Sequence, residues 1–242
     1  MLITLYEYLE ETFSQFPIAC IPGCNSCCTT RLYVTSLEAE YLFKGLKEED
    51  ILNLYNLKDF IYPRPSLSHN QIALLYYLGK EPSLFEEGEP SICPFLTSEG
   101  LCKVYERRPV ICRILLSFEK CAPGKPAALS QELYLMGLIA LQIVENIDVG
   151  GLYGNLFDLL KFYYELEKGT LEEIPSNLLS TVEFEELPLL PEEKNLRSWI
   201  GNLYRKKIKD DFTFRDLLDE IKNQFKAQKR LSFLEDIWSE DA

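Results

Sequence analysis

Four cysteines fall within nine residues, in Cys20-Ile21-Pro22-Gly23-Cys24-Asn25-Ser26-Cys27-Cys28, and four more follow at Cys93, Cys102, Cys112 and Cys121. Nothing else in the chain restricts its fold as strongly. A buried cysteine is often only a small hydrophobe, which would account for one or two of the eight but hardly for four in so short a stretch. Thiolate is a soft ligand for zinc and for iron–sulfur clusters. The Cys24-Asn25-Ser26-Cys27 spacing lets one loop offer two ligands, and Pro22-Gly23 bends the backbone before it. The early knot and the later set are therefore expected to be two halves of one metal–thiolate site. Adjacent side chains tend to point apart, so Cys27 and Cys28 are expected to serve different metals, or one to ligate while the other packs. Two four-thiolate zinc sites, or one four-thiolate cluster with spare thiols, both fit the count.

A disulfide framework is the competing reading of eight cysteines. The chain has 242 residues, 47% hydrophobic and 26% charged, enough to bury a core without covalent staples. Its first sixteen residues carry Glu7, Glu10 and Glu11 and no Lys or Arg, unlike a secretory signal or a mitochondrial presequence. The longest apolar run, from Leu133 to Leu141, is far short of the roughly 20 residues that span a bilayer. The expected location is the cytoplasm, where thiols stay reduced. A net charge of -13 repels a phosphate backbone, so no nucleic-acid partner is expected. No membrane partner is expected either; a protein partner stays open. His69 is the sole histidine, which excludes a two-histidine metal site and most His-based catalysis.

Periodicity predicts a mainly α fold: an irregular Cys-rich metal-binding core packed on a helical bundle, with few short strands. Helices are predicted over 2–16, from the Thr35/Glu38 capping box to about Gly45, over 48–60, and from Ser66 or Ser68 to Leu78. Arg31 to Thr35 is the one strand expected. A helical turn at 104–107 and a short helix over 110–117 follow. Ser130 to Ile147 is predicted to be the central buried helix. Further helices are expected over 155–167, from Pro191-Glu192-Glu193 to about Lys207, and from Thr213/Asp216 to about Lys229, with a separate Ser232/Glu235 start before a last turn. Thr170 to Pro191 is read as an acidic surface connection. Residues 1–125 form the cysteine-cluster metal-binding region and 126–242 a helical region packed on it, together one globular unit.

The later half has its own pattern: Cys93-Pro94-Phe95-Leu96, then Cys102-Lys103-Val104-Tyr105-Glu106-Arg107-Arg108-Pro109-Val110-Ile111-Cys112-Arg113. Together with Cys24, Cys27 and Cys28 it resembles the YkgJ-like cysteine-cluster family, whose pattern is C-x-x-C-x-x-C-C, then C-P-x-L, then C-x-[IV]-Y-x-x-R-P-x-x-C-R and a last cysteine. Cys121 stands for that last one. Cys20 departs, lying four residues before Cys24 rather than three. The resemblance covers about residues 17–125 and implies zinc or iron chelation. A related branch is similar to the cysteine-rich region of the flagellin lysine N-methylases. It implies a cluster-dependent enzyme, with S-adenosylmethionine as cofactor only in that case. The spacing of Cys20, Cys24 and Cys27 also matches the radical-SAM cluster motif. Here, however, a helix precedes the motif and no strand–helix alternation follows.

Arg107, Arg108 and Arg113 bracket Cys112. Buried thiolate charge needs compensation, and guanidinium donors supply it. Arg108, Arg113 and Tyr105 are the candidates for holding an anionic group or cofactor. Glu38 is read as the capping-box carboxylate, with a role beside the metal as the alternative. Three functions follow: a metal–thiolate protein with a structural, redox or storage site; a cluster-dependent enzyme such as a protein-lysine N-methylase; and a zinc-folded interaction module. No catalytic residue is assigned.

Overall fold

The computed structural model describes residues 1–55, 62–84, 86–122, 126–189, 193–209 and 211–240. It is mainly α. The helices are α1 (Leu2–Phe13), α2 (Ser36–Phe43), α3 (Glu48–Tyr55), α4 (His69–Tyr77), α5 (Val110–Ile114), α6 (Gln131–Ile147), α7 (Leu156–Lys168), α8 (Lys194–Tyr204) and α9 (Phe214–Glu240). Short strands are β1 (Tyr33–Thr35), β2 (Arg64–Pro65), β3 (Glu86–Glu87), β4 (Leu152–Asn155), β5 (Leu179–Ser180), β6 (Lys207–Lys209) and β7 (Phe212–Thr213). They form an antiparallel sheet in the order β1-β4-β5, a two-stranded pair β2-β3 whose strands are separated by α4, and a hairpin β6-β7.

Local chemistry sets most helix ends. Thr35 and Ser68 begin α2 and α4 with complete capping boxes to Glu38 and Gln71. Asn155 caps α7, and Gly169, in the left-handed conformation, closes it. Two hydrophobic clusters result. The first joins α1, α6, α8 and the start of α9 around Leu5, Leu9, Ile139, Ile143, Leu203 and Phe214. It draws on residues from both sides of position 125. The second lies between β1, α2 and α7 and takes in Leu42, Phe95, Leu156 and Leu159. Each such aliphatic or aromatic side chain, fully buried, contributes about 1.5–3 kcal/mol.

Several predicted boundaries are corrected. The helix predicted to run to Lys207 stops at Tyr204, because the chain turns there and Lys207 starts the β6-β7 hairpin. The Ser232 start is absorbed into α9, which is continuous to Glu240. The strand β4 is unanticipated: Leu152-Tyr153-Gly154-Asn155 has no strand-like alternation, and its partners lie far away in sequence. A Cβ on Gly154 would stand 2.6 Å from Leu178, so the glycine admits the β5 side. The 170–191 connection is more than surface. Glu145 and Asn146 on α6 hold the backbone of Val182 and Phe184, and Gln142 holds that of Glu186. The later part of the 48–60 helix, the Pro191-Glu192 start and much of the 122–126 loop lie outside the described residues.

Candidate metal centre

The knot is two turns. The amide of Cys24 donates to Ile21 O at 2.9 Å across Pro22-Gly23, with Gly23 at φ +86°, the residue pair a type II turn requires. The amide of Cys28 then donates to Asn25 O at 3.0 Å. The later segment is laid against this loop by the Thr29–Ile92 bridge and by the amide of Cys93 donating to Cys28 O at 3.1 Å. A second bridge, Leu96–Cys102, folds that segment back on itself. Gly100, at φ +76°, sits so close to the knot that a Cβ would lie 2.6 Å from Asn25 Nδ2. Below, Phe95 packs on Phe157 of α7, and Asn155 ties Thr30 O and Pro63 O to the start of that helix.

Between the halves lies a cavity of about 460 Å³, lined by Cys20, Cys24, Cys27, Cys28, Cys93, Cys102 and Cys112. All eight cysteines are free thiols, and Cys121 alone does not line this cavity. The thiols surround a space rather than meet at a point: among the described residues, no three Cys, His, Asp or Glu side chains converge closely enough to hold one metal ion. His69 is elsewhere, its Nε2 donating to Leu138 O of α6 at 3.1 Å.

Residues 19–127 match the CxxCxxCC family. That family is described as "Putative zinc- or iron-chelating domain", and the match takes in every cysteine of the chain. It agrees with the resemblance read from the motifs. No curated protein and no solved structure matches the chain.

The three arginines that bracket Cys112 divide sharply. Arg107 stacks on Tyr41 and donates to its carbonyl at 2.9 Å. Arg113 is 3% exposed, lies over the Tyr6 ring, pairs with Glu10, and donates to Glu106 O and Arg108 O, both at 2.9 Å. It does not line the cavity; it clasps the turn that carries Tyr105 and Arg108. Both of those do line it, with the Arg108 guanidinium 3.8 Å over the Tyr105 ring. Arg108 Nε is buried without a hydrogen-bond partner, and its charge favours ionisation of Cys27, Cys102 and Cys112.

The cavity holds most of its thiols protonated. Burial pushes Cys93 up to about 11 and raises Cys20, Cys102 and Cys112. Cys27 and Cys28 touch, contrary to the expectation that neighbours point apart: Cys27 donates to Cys28, which raises the donor and lowers the acceptor. A nucleophilic cysteine needs a depressed pKa, and Cys28 moves that way, whereas Cys20, Cys27, Cys93, Cys102 and Cys112 move the other. The sulfur-only donor set, the apolar enclosure and the unpartnered Arg108 Nε fit a soft, anionic metal–thiolate centre.

Two features go beyond the sequence reading. Glu38 is capping-box carboxylate and more: Oε1 also accepts from the Val110 amide at 2.7 Å and from Tyr6 Oη at 3.2 Å. It thus caps α5, the helix bearing Cys112, where Pro109 offers no side-chain cap. The cavity rim carries the exposed apolar residues Ile21, Leu101 and Leu115. A carboxylate gripping a helix seventy residues away leaves no local signal.

Proposed function

We propose that this chain is a metal–thiolate protein that holds zinc or an iron–sulfur cluster through the cysteines of its two segments, in a compartment that keeps thiols reduced. The observation that carries the reading is the gathering of seven thiols from distant segments around one cavity, with a single unpartnered guanidinium nitrogen at its wall. The CxxCxxCC match points to the same coarse chemistry. Arg108 offsets thiolate charge, Arg113 and Glu38 hold the turn and helix that carry Arg108 and Cys112, and Phe95 and Leu156 keep water from the inner wall. When bound, zinc supplies a rigid link between the loops, and an iron–sulfur cluster supplies one-electron chemistry or substrate activation. The test is elemental and sulfide analysis of anaerobically purified protein. Brown protein with iron and sulfide identifies a cluster, and colourless protein with zinc identifies the other form. Folded, reduced, metal-free protein that takes up neither overturns the reading.

A cluster-dependent enzyme is the second reading, favoured by a cavity that falls within the roughly 300–1,000 Å³ of small-molecule sites and has a mostly apolar wall. Protein-lysine N-methylation is its named form. Absence of S-adenosylmethionine binding by calorimetry to metal-loaded protein would remove that form.

A further inference from the structure

We propose that the eight cysteines form two separate four-thiolate centres: an inner one of Cys28, Cys93, Cys102 and Cys112, and an outer one of Cys20, Cys24, Cys27 and Cys121, meeting at the Cys27–Cys28 peptide bond. The proposal rests on the metal–thiolate reading and deepens it.

Packing separates the sets. Cys93 is part of the second hydrophobic cluster, and Cys28, Cys102 and Cys112 pack against it, whereas the other four belong to neither cluster. The backbone separates them the same way. Cys93 is bonded to Cys28 O, and the Leu96–Cys102 bridge returns the chain to the same wall. The α5 helix then brings in Cys112. On the outer side, the amide of Ala19 donates to Ser117 O at 2.8 Å, and the Ser117 backbone bonds the Cys20 thiol, which draws the 117–121 segment to the start of the knot. The Ser117 hydroxyl accepts from Glu119 N and Ala128 N, so that segment is folded back rather than trailing.

The centres differ in access: Cys93 is buried and Cys27 exposed. Each centre forms as four thiols pass their protons to solvent and four sulfur–metal bonds replace them. The inner centre is therefore the permanent one, and the outer centre is the one that exchanges.

The test is metal content, with sulfide, of the full chain and of Cys121→Ser, Cys24→Ser and Cys93→Ser, all purified anaerobically. Cys121→Ser and Cys24→Ser should each lose about half of the metal and keep the wild-type circular dichroism. Because Cys93→Ser can fail to fold, wild type is also titrated with a chelator, and two release phases of similar amplitude are expected. The Cys121→Ser variant should lack the fast one. Loss of all metal in Cys121→Ser, full retention in it, or a single release phase in wild type overturns the partition while leaving the metal–thiolate reading intact. Metal-free wild type overturns both.

Discussion

Replacing Glu38 by alanine tests how the cysteine-bearing helix is held. The carboxylate is 1% exposed, and its load is hydrogen bonds. Oε1 accepts from Val110 N and Tyr6 Oη, and Oε2 from Thr35 N at 3.2 Å. Alanine removes the reciprocal half of the α2 capping box, about 1 kcal/mol. It strands the buried Val110 amide, about 1–3 kcal/mol, and leaves a cavity. The sum is roughly 3–5 kcal/mol, which for a chain of this length lowers Tm by about 10 °C. Burial raises the Glu38 pKa despite these donors, so the charge itself is costly. Glutamine therefore keeps one acceptor oxygen and should cost about 1–2 kcal/mol. Urea denaturation of both variants, beside Glu40→Ala in the exposed Glu40–Lys44 pair as a neutral control, measures this. A Glu38→Ala loss below about 1 kcal/mol would refute the view that this carboxylate anchors α5.

Gly100→Ala should destabilise by about 1–2 kcal/mol and more than Gly23→Ala. Both have positive φ, but only Gly100 would drive a Cβ into Asn25; equal losses in thermal melts would deny that contact. Arg108→Gln should weaken metal retention roughly 10-fold in a chelator competition, and unchanged retention would remove Arg108 from the centre. His69 has its pKa lowered from 6.5 to about 4 by burial. The unfolded chain then takes up the proton first, and stability falls by about 3 kcal/mol as pH drops from 6.5 to about 4. Asp148, raised to about 6 by burial, acts oppositely, its stabilisation being lost as pH rises through about 6. His69→Gln should therefore flatten the acid limb of a denaturation series, and an unchanged limb would contradict the assignment.

Local grammar was legible. The Thr35/Glu38 box and the apolar run of α6 announce themselves within a few residues, and the start of α4 was narrowed to Ser66 or Ser68, of which the structure uses Ser68. What escaped depends on distant partners. The strand β4 exists because β1 and β5 flank it. Lys207 leaves its helix because β7 pairs with it. Arg113 was grouped with Arg108 by proximity to Cys112, yet one lies on the cavity wall and the other behind it, a distinction of side-chain direction that spacing does not encode. The cysteine pattern marked the region because sulfur ligation needs its residue type at every position; the contacts that hold the region in place can be made by many residue types.

The most direct test of the metal–thiolate account is X-ray absorption at the metal edge of the anaerobically purified protein. The account predicts zinc or iron with a first shell of sulfur alone, at about 2.3 Å. A shell of nitrogen and oxygen, or protein without metal, would contradict it.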